Sequence, residues 1–129
     1  ENDYKRMEFR NHVCFIPNLE PSKLAQLYGA SYALVFPSFF EGFGIPIAEA
    51  INCDTAIITS DTTSMPEVGG KAALYVDPFS VASISDAMIN LYQNRDLREQ
   101  LIENGKAQRL KFSWDNTARI VWESIEKVM

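Results

Sequence analysis

Pro37-Ser38-Phe39-Phe40-Glu41-Gly42-Phe43-Gly44-Ile45-Pro46-Ile47-Ala48-Glu49-Ala50 is the stretch from which the fold can be read. It leaves the apolar run Tyr32–Phe36, turns through two glycines and enters a segment whose residues mostly tolerate a helix. Pro46 suits a first helical turn, where its missing N–H costs nothing. A strand running through a glycine-rich turn into a helix start is a potential anion site, because free N–H groups and the positive end of the helix dipole meet there. Glu41 and Glu49 bracket the turn with seven residues between them. Carboxylates accept hydrogen bonds and suit pairs of sugar hydroxyls. A ligand with a diphosphate between two hydroxyl-rich rings, a nucleotide sugar, answers both features. Taken alone, the pair reads equally well as a loop charge and a solvated helix residue.

Working outward, the chain alternates apolar runs with amphipathic ones. His12–Pro17 reads as a short buried strand, and Glu20–Tyr28 as a helix with proline in its first turn and Leu24, Leu27 and Tyr28 on one face. Tyr32–Phe36, Thr55–Thr59 and Ala72–Val76 read as further strands, apolar along their length and therefore covered on both faces, as in a parallel sheet. Met65–Val68 reads as one helical turn closed by Gly69-Gly70. Ser80 precedes an amphipathic helix carrying Val81, Ile84, Met88 and Leu91, and a second, around Leu97, Leu101 and Ile102, is expected to break or weaken near Gly105. Ser113 reads as the N-cap of a last helix. Its apolar side, with Trp114, Val121, Trp122 and Ile125, is expected to serve core or domain packing.

The fold class is thus α/β, a Rossmann-like doubly wound parallel sheet with a helical C-terminal cap. Ligands of such sheets sit outside the carboxyl ends of the strands. Three loops meet that condition: Pro17–Leu19, Ser38–Gly44 and Ser60–Met65, and the two-glutamate turn is the second of them.

Length and charge narrow the function. At 129 residues with 47% hydrophobic content the chain suits one compact domain, 1–129. A net charge of -5 gives no footprint for nucleic acid or an anionic membrane, and no apolar run approaches the roughly 18 residues of a membrane span. Cys14 and Cys53 lack metal-type spacing and read as buried free thiols, which suits a reducing compartment. No cluster of metal-ligand type is apparent. His12 at a strand start reads as structural, and Asp61 and Glu67 as solvated or capping residues. The polar start, without an initiator Met, reads as a cut end of a larger protein.

With these runs in hand, "PSFFEGFGIPIAEA" resembles the Glu-(seven residues)-Glu motif of retaining GT-B glycosyltransferases, especially family 4. "VCFIPNL", "KLAQLYGASYALVFPS", "SMPEVGGKAALYVDP" and "FSW" resemble further blocks of that family, in its order, over about residues 11 to 125. The resemblance implies part of a GT-B C-terminal, donor-binding domain. It also implies a cytoplasmic hexosyltransferase of EC 2.4 type, such as a mannosyl-, glucosyl- or GlcNAc-transferase of polysaccharide biosynthesis. The donor would be a nucleotide sugar such as GDP-mannose or UDP-hexose. A glycan or lipid-linked acceptor would be held by an N-terminal domain outside this chain, which leaves room for peripheral membrane contact by the full-length protein.

By the same resemblance Glu41, the candidate catalytic residue, holds donor-sugar hydroxyls. Gly42 allows close backbone approach, and the amides of Phe43, Gly44 and Ile45 reach the sugar and phosphate. Glu49 accepts from the ribose hydroxyls, and Ile16 and Pro17 border the nucleobase. No metal and no cofactor are implied. The Arg and Lys that clamp the diphosphate would lie upstream, since Lys5, Arg6 and Arg10 do not match them; the isolated chain is then inactive. Two departures stand out: Asp54 where the family has glycine, a position expected to be left-handed, and Pro17 where glycine is common. The rival class is a non-catalytic nucleotide-sugar-binding or partner-binding module.

Overall fold

The computed structural model describes residues 2–129, with the side chains of 2 and 3 left aside; Glu1, the first residue of the polar start, lies outside the described residues. After a short helix α1 (Asn2–Arg6) and a 3-10 turn at Arg10–His12, the chain runs α2 (Pro21–Ala30), β1 (Ala33–Phe36), α3 (Ile45–Asn52) and β2 (Ala56–Ser60). It continues through α4 (Met65–Gly69), β3 (Ala73–Val76), α5 (Val81–Gln93), α6 (Arg95–Gln108) and α7 (Trp114–Glu126). The strands form one parallel sheet in the order β1-β2-β3, with Ala33 opposite Ala56 and Ile57 opposite Ala73.

All five residues of β2 are buried, as expected for a central strand covered on both sides. Successive side chains feed different cores, following the period of two along a strand. Ile57 packs with Ile47, Ile51, Met65 and Val68 from α3 and α4. Ala56 and Ile58 pack with Val76, Leu91 and Leu101 beneath α5 and α6. Ser80 and Ser113 cap α5 and α7, each side chain accepting from the amide three residues on, as their sequence positions imply.

Asp54 adopts φ +53, the left-handed conformation expected of it, and Arg109 Nη1 lies 3.1 Å from its Oδ1. Aspartate tolerates this region better than most residues. The departure from glycine thus leaves the turn intact.

Four expectations are corrected. His12–Pro17 is not a strand: it is the end of a 3-10 turn followed by unpaired chain, with Val13, Phe15 and Ile16 exposed. Its composition suits a strand, but a strand needs a ladder, and among the described residues no sheet edge pairs with it. His12 is accordingly a surface residue, its ring 6.2 Å from that of Phe9. Helix α6 runs through Gly105 without interruption, because Leu97, Leu101 and Ile102 pack it against the sheet and that packing outweighs glycine's weak helix preference. On α7 no residue is buried: Trp114, Val121, Trp122 and Ile125 are exposed, so the expectation of core packing, though not that of domain packing, is corrected.

The fourth correction concerns the thiols. Cys14 is exposed and Cys53 half-buried. Burial, and then the Glu49 and Asp54 carboxylates, push the Cys53 thiol above its ordinary range, so it holds less thiolate at a given pH. In a short iodoacetamide pulse at pH 8, mass spectrometry is expected to find Cys14 alkylated well before Cys53.

Candidate functional site

The site grows from the carboxyl end of β1. Beyond Phe36 the chain loops through residues 37 to 44 before α3 begins, and the loop after β2 braces it. Ser60 Oγ donates to the Ser38 carbonyl at 2.6 Å, and Ser64 Oγ donates to the Glu41 carbonyl at 2.9 Å. The Glu41 amide donates to Thr63 Oγ1 at 3.2 Å, and Thr62 Oγ1 donates to the Phe39 carbonyl at 3.4 Å. Thr63 holds φ +54, an unusual conformation for a β-branched residue, of the kind that costs energy and collects at functional sites. The sequence signals this bracing only as a run of hydroxyl side chains, Thr62-Thr63-Ser64.

Inside this frame the half-buried Glu41 carboxylate accepts from Ser38 Oγ at 2.9 Å. Gly44 is buried at φ +96 and ψ +50, the entry residue of α3, and Pro46 occupies the first turn as expected. A Cβ at Gly44 would meet Ile47 Cδ1 at 3.2 Å in a backbone conformation that favours glycine. Among the described residues, the amides of Phe43, Gly44 and Ile45 have no hydrogen-bond acceptor, and the first bond of α3 runs from the Ile47 amide to the Gly44 carbonyl at 3.0 Å. Three consecutive donors are therefore free at the positive end of a helix.

Glu49 stands on the exposed side of α3. Tyr28, from α2, donates its hydroxyl to Glu49 Oε2 at 3.4 Å. The phenol is pushed above its ordinary range by burial first, then by the charge and hydrogen bond of Glu49, so Tyr28 stays a donor. No sequence signal links these two residues, 21 positions apart in different helices.

Phe43, Ile45 and Glu49 line a cleft of about 770 Å³, closed on its other sides by Leu24 and Tyr28 of α2 and by Trp114. Phe43 packs edge-on against Phe112 with ring centres 5.6 Å apart. The lining is largely apolar, and among the described residues none of its side chains is cationic. Glu41 lies outside this lining, among Ser38, Thr63 and Ser64, so the two carboxylates serve different surroundings. Ile16 and Pro17 also lie outside it, in the exposed segment that leads to α2, although Pro21 at the start of that helix belongs to the cleft.

Comparison with known proteins places this arrangement in a class. The family described as glycosyl transferases group 1 matches residues 2–108, and the chain belongs to it. Similar proteins include O-antigen chain mannosyltransferase B of Escherichia coli, 44% identical over 93 residues, which cover 72% of this chain and 24% of that protein. The serotype-specific mannosyltransferase WbdA of Escherichia coli is 34% identical over 120 residues, 93% of this chain and 15% of that protein. The chain therefore spans a quarter or less of these relatives. Sucrose-phosphate synthase from Thermosynechococcus elongatus superimposes with a TM-score of 0.89 at 22% identity, covering 98% of this chain and 33% of that one. Its likeness supports the GT-B fold reading and carries no substrate.

Proposed function

We propose that the chain forms the donor side of a retaining hexosyltransferase, moving a hexosyl group from a nucleotide sugar to a hydroxyl acceptor. The observation that carries this reading is the row of free amides at Phe43, Gly44 and Ile45, flanked by Glu41 on one side and Glu49 on the other. The amides meet the negative charge that builds on the diphosphate as it leaves, and being held in place they need no reorganisation. The transition state is oxocarbenium-like. Glu41 holds the hydroxyls of the transferred sugar and positions it, while Glu49 accepts from the ribose hydroxyls. Ile16 and Pro17 border the base. No metal is assigned a role: further phosphate charge is met by an Arg and a Lys supplied from outside residues 1–129, and the greater length of the relatives leaves room for them.

The relatives named as mannosyltransferases favour a mannosyl donor such as GDP-mannose. The O-antigen name of the first favours a glycan acceptor, and the reading adds a lipid-linked one at the cytoplasmic face of a membrane. No described helix is long and apolar enough to cross one. The domain that would hold most of the acceptor lies outside this chain in this reading, so the chain is inactive alone. A non-catalytic role would have drawn support from a disrupted turn at Asp54, and the left-handed Asp54 removes that support.

Hydrogen exchange of the full-length protein with GDP, UDP and ADP tests the reading. One of the three is expected to slow exchange at the start of α3, and no protection by any of them would contradict it. Tyr28→Phe is expected to weaken binding of that nucleotide about two- to tenfold, since it removes one hydrogen bond that orients Glu49. Titration calorimetry measures the loss, and an unchanged affinity would show that Tyr28 does not orient Glu49.

A further inference from the structure

Outside the cleft lining, Phe39 packs at a tilt against Phe79, which follows β3. Their ring centres are 4.9 Å apart with planes inclined by 37°. Both rings are exposed, Phe39 by 61% and Phe79 by 78%, and Phe40 beside them by 74%. Their backbones are pinned: the Phe79 amide donates to Asp77 Oδ1 at 2.9 Å, and the Phe39 carbonyl accepts from Thr62. A rigid aromatic surface of this kind is unfavourable in water and buries nothing within the chain.

Its setting selects a ligand chemistry. The segments that carry the pair, residues 37–41, 59–64 and 77–83, contain Glu41, Asp61 and Asp77 and no Lys or Arg. At the pair itself a phosphate, an anionic lipid or a nucleic acid would meet carboxylates alone, whereas the diphosphate assigned above meets the free amides of Phe43, Gly44 and Ile45. A sugar ring fits, because its C–H face packs on an aromatic face while its hydroxyls donate to carboxylates. Along the motif loop, Phe43 turns to Phe112 at the donor cleft and Phe39 turns to Phe79, with Glu41 between them in sequence. Phe39 and Phe79 are absent from the cleft lining.

We propose that the Phe39–Phe79 pair is a stacking subsite for a sugar ring of the acceptor saccharide. The inference rests on the glycosyltransferase reading above and adds to it a residue pair that sets acceptor affinity.

The test uses the full-length protein with GDP-mannose as donor and α-mannotriose as acceptor, alongside saturation-transfer NMR of mannotriose binding. Phe79→Ala is expected to raise the acceptor KM roughly tenfold, leaving the donor KM and the rate of donor hydrolysis within twofold. Phe79→Trp, which restores an aromatic face, is expected to return the acceptor KM close to its original value. Phe79 is exposed, so its truncation leaves the fold intact, and an unchanged Tm checks this. Wild-type turnover with an acceptor KM unaltered in Phe79→Ala, or an equal rise in donor KM, would overturn the subsite alone. Wild-type protein that neither binds mannotriose nor transfers to it would overturn the subsite and the transferase reading together.

Discussion

Glu41→Ala in the full-length protein is expected to lower kcat by about a hundred- to a thousandfold, the usual loss when one preorganised polar contact to a transition state is removed. The side chain is well suited to such a test. The loop around it is held by other groups: its amide donates to Thr63, its carbonyl accepts from Ser64, and Ser60 anchors Ser38. Truncation removes only the Ser38–carboxylate bond at 2.9 Å from a partly exposed position, so stability should change by less than about 1 kcal/mol. Initial rates and a thermal melt separate the two effects. A large fall in rate without a fall in Tm assigns the loss to the carboxylate; a comparable fall in Tm would assign it to the loop. Because Glu41 is read as a positioning group, Glu41→Gln, which keeps a hydrogen-bond acceptor, should recover part of the rate with the shape of the pH profile unchanged. A lost limb of that profile would instead make Glu41 a base.

Gly70→Ala is expected to destabilise the chain by about 3 kcal/mol, the largest effect on stability from a single methyl group anticipated in it. Gly70 holds φ +53 and ψ -126, a combination favourable only to glycine. A Cβ there would lie 2.6 Å from Gln108 Oε1 and 2.8 Å from its Nε2. Gln108 cannot yield freely. It is 5% exposed, and its Nε2 donates to the carbonyls of Glu67 and Val68 at 2.9 and 3.0 Å, closing the end of α4. Its Oε1 accepts from Lys111 at 2.9 Å. The methyl group therefore combines backbone strain with displacement of a buried amide that satisfies two helix-end carbonyls. Gly42→Ala is the control: nothing lies within 4 Å of a Cβ there, and its φ is not positive, so its urea midpoint should stay close to that of the parent. Equal midpoints for the Gly70 and Gly42 variants would refute this reading of Gly70.

Features dictated by short-range rules are legible in the sequence itself. The uninterrupted Ala56–Ile58 run demands cover on both faces, and Ile57 and Ile58 indeed enter different cores. Ser80 and Ser113 announce helix starts through the side chains that cap them, and Pro46 announces the first turn of α3. What stays hidden depends on partners distant in sequence. The β-type composition of residues 12–17 reports a preference, whereas a ladder needs an edge to pair with. The apolar stripe of α7 reports amphipathicity without saying what covers it. Gly105 is a weak helix former in isolation, and the packing of Leu97, Leu101 and Ile102 against the sheet overrides that tendency. The site divides in the same way. The two glutamates and the glycine turn are visible as a motif, while the Tyr28 hydrogen bond, the strained Thr63 and the Phe39–Phe79 pair all arise from chain crossings.

The central claim is transfer of a hexosyl group with its anomeric configuration kept. It is tested most directly by incubating the full-length protein with GDP-mannose and α-mannotriose and following the anomeric protons by NMR. The expected product carries a new glycosidic linkage with the α-configuration of the donor. A β-linked product, or no product at all while the donor is intact, would contradict the claim.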